Sequence, residues 1–232
     1  MVRTVWTYGC SVSACSNWEC NSREEVYSKF LADKLKGKHK NYAIGCGSNS
    51  RIFRLIFNHI AEGMITPDDI VTVQYTTAER KEFFSKHIYP EDILREDYKD
   101  GQLFNFKVDH YGRHKDEIEA FKLYENNCLS REYEIEILRG NHAALIALAK
   151  YKNINLIFID AYPPGMFPSG RIENNIGVES LNIEDITDMF KIDEYAQVNR
   201  EGNIDRLHFS VTGHKAIADR IYNKLIKDKI VV

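Results

Sequence analysis

The chain has 232 residues, 44% of them hydrophobic and 28% charged, the composition of an ordinary globular protein long enough for one α/β domain with insertions. Its 31 Lys plus Arg against 34 Asp plus Glu leave a net charge of −3, with no strong positive field to draw nucleic acid or an anionic membrane. No window approaches the run of about eighteen apolar residues of a membrane span, and Met1-Val-Arg-Thr-Val-Trp enters a strand without a secretory apolar region, so a cytoplasmic location is expected.

In chain order, residues 3 to 8 alternate as a short strand, and Gly9 to Asn21 is a loop dense in Ser, Cys and Asn. Cys10, Cys15 and Cys20 fall five apart, unlike the short paired spacings of zinc sites. They are read as reduced thiols, with a disulfide or a metal among the three as the alternative, and no cofactor is expected. Ser22-Arg-Glu-Glu25 fits a capping box and predicts a helix from about Arg23 to Leu35, buried along Val26, Phe30, Leu31 and Leu35. Tyr42-Ala-Ile-Gly reads as a second strand delivering the turn Gly45-Cys46-Gly47-Ser48-Asn49.

A second amphipathic helix carries Ile52, Leu55, Ile56, His59 and Ile60 on one face and ends near Gly63, and Ile70 to Tyr75 is a β-branched third strand. This alternation predicts a three-layer α/β/α architecture on a mostly parallel sheet, in which ligands bind outside the C-terminal strand ends. From about 81 to 127 the pattern loosens into an irregular insertion in a chain otherwise read as a single domain over 1–232. His110 and His114 there, with Asp109, are solvated loop residues by default, substrate contacts or metal ligands otherwise. A long helix from Ser130 to Lys150 leads to the buried strand Ile154 to Asp160, with Tyr162 and Pro163-Pro164-Gly165 in the loop beyond it. Residues 166 to 204 read as irregular with a short helix near Glu184 to Phe190, and no internal repeat is present.

Asp205-Arg-Leu-His208 then precedes the capped helix Ser210-Val-Thr-Gly-His-Lys-Ala-Ile-Ala-Asp-Arg-Ile-Tyr. A carboxylate three residues before a histidine on a turn can accept the ring Nδ1–H and leave Nε2 as a base. Ser11, where the first strand stops, is the hydroxyl for that base to activate, and Cys10 beside it is a rival nucleophile only in an electropositive setting. His214, one turn into the last helix, is read as structural.

Together these stretches resemble the SGNH, or GDSL-like, hydrolase superfamily, whose fold is flavodoxin-like, and Asp205 to Ala218 resembles its final block. Where the family reads Gly-Asp-Ser the chain reads Gly9-Cys10-Ser11, which implies Ser11 as nucleophile, His208 as general base and Asp205 as the group orienting it. The second block, Asn41 to Asn49, implies an oxyanion-hole N–H from Gly47 or Cys46, with Gly47 chosen. The third block departs, because the family's Gly-x-Asn-Asp supplies an asparagine donor that Gln74-Tyr-Thr-Thr-Ala-Glu-Arg80 lacks. Such a donor is worth about 10²–10³ in kcat, and Asn49, Thr76, Thr77 and Arg80 are the candidate substitutes. Some variant members carry a Thr followed by Glu and Arg here, as Thr76 to Arg80 does.

The resemblance implies an esterase acting on an O-acyl group, such as acetate on a carbohydrate or other small molecule, with no metal or organic cofactor. An acyltransferase on the same triad and a binding module that has lost catalysis are the alternatives.

Overall fold

A computed structural model describes residues 3–14, 24–45, 47–76, 80–84, 103–106, 115–128, 130–160, 183–185, 193–198 and 204–230. Its centre is a five-stranded sheet, every neighbouring pair parallel, formed by β1 (Thr4–Tyr8), β2 (Lys38–Asn41), β3 (Ile70–Gln74), β6 (Asn155–Asp160) and β7 (Ile183–Asp185) in the order β2-β1-β3-β6-β7. Two further strands, β4 (Lys81–Phe84) and β5 (Leu103–Phe106), pair antiparallel, as do β8 (Ala196–Val198) and β9 (Ile204–Phe209). The helices are α1 (Ser11–Ala14), α2 (Tyr27–Lys34), α3 (Asn49–Ala61), α4 (Lys115–Asn127), α5 (Arg131–Lys152) and α6 (Val211–Lys227).

Because strand side chains alternate between faces, the three central strands feed two separate cores. Val5, Ile70, Ile157 and Ile159 pack with Tyr27 and Leu31 of α2 and with Ile217, Ile221 and Leu225 of α6. From the opposite face Trp6, Tyr8, Val71, Val73, Leu156 and Phe158 pack with Ile52 and Ile56 of α3 and with Leu145 and Ala149 of α5. Each such fully buried side chain contributes about 1.5–3 kcal/mol. The result is the expected three-layer α/β/α sandwich. Among the described residues no helix is long and apolar enough to cross a membrane.

The long helices start as their sequences require, since Ser48, Ser130 and Ser210 each accept a backbone N–H three residues on. Helix α2 is the exception to the expected pattern: it starts at Tyr27, not Arg23, and its N-cap Val26 offers no side-chain bond. Packing replaces the capping box. Val26 and Tyr27 are fully buried, and the Tyr27 N–H, an orphan donor of the first turn, goes to His214 Nδ1 on α6 at 3.3 Å.

Three further expectations change. The second strand is Lys38–Asn41 rather than Tyr42 to Gly45, because this edge strand is polar and alternately exposed and shows no apolar run. Ile183–Asp185 is the opposite edge strand, where a short helix was expected near Glu184. The stretch from 81 holds the β4/β5 pair and then the 13-residue α4, which is more order than its loose periodicity suggests. Asp109, His110, His114, Tyr162 and Pro163 to Gly165 lie outside the described residues.

Candidate functional site

All strands of the central sheet point the same way, so β1, β3 and β6 end on one edge of the sheet. Ser11 is the first residue of α1, three residues after β1 ends at Tyr8, and it is half-exposed. His208 is half-exposed as well, and its Nε2 lies 2.9 Å from Ser11 Oγ although 197 positions separate them. That is hydrogen-bond reach for a nucleophile and its base.

His208 reaches Ser11 from a strand rather than from the turn expected. Asp205 and His208 both lie in β9, and residues three apart on a regular strand point to opposite faces. The strand is not regular, however: Ala196 pairs with Phe209 while the next residue, Gln197, pairs with Asp205. Arg206, Leu207 and His208 therefore form an irregular bulge between two ladder pairs, a device that re-aims side chains. The backbone of Asp205 is placed at the end of that bulge, and its side chain lies outside the described part of the residue.

Gln74 holds the turn that carries Ser11. Register pairs Tyr8 with Val73, which sets Gln74, fully buried at the end of β3, beside Gly9. Its Oε1 accepts the Cys10 N–H at 3.0 Å, the Cys10 thiol at 3.2 Å and the Ser13 hydroxyl at 3.4 Å, while its Nε2 donates to the Tyr75 carbonyl. A Cβ on Gly9 would stand 2.9 Å from that same Oε1, so the contact itself requires glycine there. Ser13 continues the network to the Tyr27 hydroxyl at 3.0 Å, and Tyr27 to Thr72 at 3.4 Å. Burial pushes the Tyr27 phenol up to about 12, so it remains a neutral partner. None of this was legible in the sequence, where Gln74 reads only as the polar end of a strand.

The same contacts bear on Cys10. It is fully buried, in no disulfide, and its thiol donates to Gln74, which is the setting of a structural cysteine rather than a rival nucleophile. Cys15, Cys20 and Cys46 lie outside the described residues.

The second-block turn packs against the first: the Ile44 N–H donates to the Gly9 carbonyl at 3.3 Å. Gly47, expected as the oxyanion donor, gives its N–H to the Ile44 carbonyl at 3.1 Å. Its glycine is needed for another reason, since a Cβ would fall 2.7 Å from the Gly9 carbonyl oxygen. Gly45, half-exposed in the same turn, has no such bond among the described residues.

Of the substitutes for the missing asparagine, Asn49 is occupied with the backbone of β3's exit. Its Oδ1 accepts the Thr76 N–H and its Nδ2 donates to the Thr76 carbonyl, both at 2.9 Å, which fastens the start of α3 to the end of β3. Thr76 is buried, and its Oγ1 accepts from Arg80 Nη1 at 2.7 Å. Arg80 is thereby anchored at the sheet edge that carries Ser11, half-buried. Glu82, two residues on, lies in β4 and takes a bidentate pair from Arg54, at 2.8 and 2.6 Å. Thr77 lies outside the described residues.

Replacing Gln74 with the nearly isosteric Leu leaves the buried Cys10 N–H without its acceptor. The expected cost is about 1–3 kcal/mol of unfolding free energy, measured by urea denaturation. Loosening of Ser11 is expected to lower kcat by about 10–100-fold with KM little changed. Unchanged stability and turnover would show that Gln74 does not hold the turn.

No protein-family model matches the sequence, and no curated protein matches it. Solved structures do match in fold. The psychrotrophic esterase EstA from Pseudoalteromonas sp., in a structure inhibited by monoethylphosphonate, superposes with a TM-score of 0.55 at 15% identity over 97% of each chain. TesA superposes at 0.54 with 10% identity, over 99% of this chain and all of that one (100%). A carbohydrate esterase whose active site displays divergent catalytic and non-catalytic binding functions superposes at 0.51 with 12% identity, over 96% of this chain and 68% of that one. With its parallel sheet sandwiched between two helical layers, the chain has the fold of the SGNH, or GDSL-like, hydrolases.

Proposed function

We propose that the chain is a serine hydrolase of O-acyl esters, with Ser11 as nucleophile and His208 as general base. The observation that carries the reading is the 2.9 Å approach of His208 Nε2 to Ser11 Oγ at the C-terminal edge of the sheet. Ser11 Oγ attacks the acyl carbonyl while Nε2 takes its proton, and the same proton then goes to the departing alcohol. Asp205, three residues earlier, accepts the Nδ1–H and stabilises the imidazolium. Water attacks the acyl-enzyme with His208 again as base, returning free Ser11 and the carboxylic acid.

The oxyanion is met by the Ser11 N–H at the start of α1 and by the turn Gly45 to Gly47, with the Gly45 N–H in the role first given to Gly47. The third donor comes from the Thr76 to Arg80 exit of β3, where Arg80, fixed by Thr76, brings a cation in place of the family's amide. The acyl group we assign is a small one on a polar alcohol, such as acetate on a carbohydrate, and no metal or organic cofactor takes part in these steps. That similar folds belong to esterases, one of them a carbohydrate esterase, supports this choice.

The test is turnover across a chromogenic ester series from acetyl to octanoyl, alongside acetate release from acetylated sugars. The reading expects the highest kcat/KM at the shortest acyl chains and release from at least one acetylated sugar. Turnover confined to long acyl chains would overturn the substrate class, and none on any ester would overturn the activity.

A further inference from the structure

We propose that the outward face of α5 is a self-association surface on which two copies of this chain pack antiparallel. One face of the helix is used up within the monomer: Leu138, Leu145, Ile146 and Ala149 are buried against the sheet. The other is apolar and uncovered. Tyr133, Ile137 and Tyr151 are 60%, 43% and 80% exposed, and Gly140, Ala144 and Ala147 between them are exposed too. These six positions advance by four, three, four, three and four residues. That is the 3.5-residue repeat of a helix that meets another helix, sustained along most of α5.

Gly140 is the second observation. It sits in the middle of a 22-residue helix, where glycine costs about 1 kcal/mol relative to alanine. A Cβ added there meets nothing within 4 Å, so nothing among the described residues requires its absence. A helix crossing close to α5 at that point would.

The order of sizes along the seam defines the partner. Turned about a two-fold axis at the level of His142, α5 presents Gly140 to the partner's Ala144, Ile137 to the partner's Ala147 and Tyr133 to the partner's Tyr151. Small residues then meet at the centre, where backbones come within about 8 Å, and the aromatic rings close each end. Charge agrees with this direction. Glu136, exposed beside the seam near the N-terminal end, comes opposite the exposed Lys150 of the partner near its C-terminal end, and the reverse. A parallel pair would set Glu136 beside the partner's Asn141 and lose both contacts. The local pair of Glu136 with Arg139 at 2.5 Å is exposed and weak enough not to compete.

Sedimentation velocity of the full chain across the micromolar range tests this. The expected species is twice the 26.9 kDa chain, dissociating on dilution. Ala144→Glu should give monomer with an unchanged circular dichroism spectrum and thermal midpoint, because the position is exposed in the single chain. Glu136→Lys and Lys150→Glu should each weaken the dimer by about tenfold, since symmetry counts each pair twice, and the double reversal should restore it. A monomer at every concentration overturns the proposal, as does one that associates only with a different protein. So does a dimer indifferent to Ala144→Glu, or one that the double reversal fails to restore.

Discussion

Replacing Ser11 with Ala is expected to lower kcat by about 10⁴–10⁶-fold, with KM little changed, on whichever ester the chain turns over best. The size follows from the role. Without Oγ no acyl-enzyme forms, and only the oxyanion donors and substrate positioning remain to act on a direct attack by water. The fold should survive, because Ser11 is half-exposed and the turn around it is held by Gln74 through Cys10 and Ser13 rather than by the Ser11 hydroxyl. His208→Ala is expected to fall in the same range, and the double variant should be no worse than either single one, since the two groups act as a unit. Steady-state kinetics with a matched thermal midpoint checks both. Turnover that survives Ser11→Ala would place the nucleophile elsewhere.

Acid is expected to unfold the protein through two histidines other than His208. Burial holds His142 down at about 4, and burial, with the charge of His208 as a smaller cause, holds His214 down at about 3. Both take up protons in the unfolded chain near 6.5 but stay neutral in the folded one until far lower pH. The unfolded state therefore binds more protons throughout the interval, and stability falls as pH falls from about 6.5 toward 4. Each histidine contributes about 1.4 kcal/mol per pH unit there. Two units below 6.5 the pair removes about 5 kcal/mol, comparable with the whole stability of many domains.

The geometry says how to isolate the effect. His214 Nδ1 accepts the Tyr27 N–H, and His142 Nδ1 lies 2.5 Å from the Tyr75 hydroxyl, so asparagine at either position can keep an acceptor without a titrating ring. Urea unfolding of His142→Asn and His214→Asn between pH 7 and pH 5 should show each variant shallower in its pH slope by about 1 kcal/mol per unit, averaged over that interval. Slopes that stay as steep as the parent's would show that other groups carry the acid sensitivity.

What could be read in advance divides along a physical line. Strands β1, β3 and β6 and helices α3, α5 and α6 bury a whole face or stripe, and their periodicity states it. Strand β2 is Lys-His-Lys-Asn at a sheet edge, where backbone pairing rather than burial makes the strand, so no pattern marks it. Ser22 to Glu25 has the pattern of a cap, yet α2 starts later, at Tyr27, which finds its partners on β3, α1 and α6. In the site, Ser11 and His208 could be paired through family resemblance and strand order. The bulge that turns His208 inward depends on the β8/β9 register, and the grip of Gln74 on the Cys10 N–H on the β1/β3 register. That Gly47 must be glycine rests on one 2.7 Å approach to the Gly9 carbonyl oxygen, which no sequence states.

The central claim is that Ser11 is a nucleophile activated by His208, and covalent trapping tests it most directly. After incubation with a fluorophosphonate, mass spectrometry of the digested chain should find the phosphonyl group on Ser11. The label should be lost in Ser11→Ala, strongly slowed in His208→Ala and retained in Cys10→Ala. Folded wild-type protein that takes no label, or label on another residue that persists in Ser11→Ala, would contradict it.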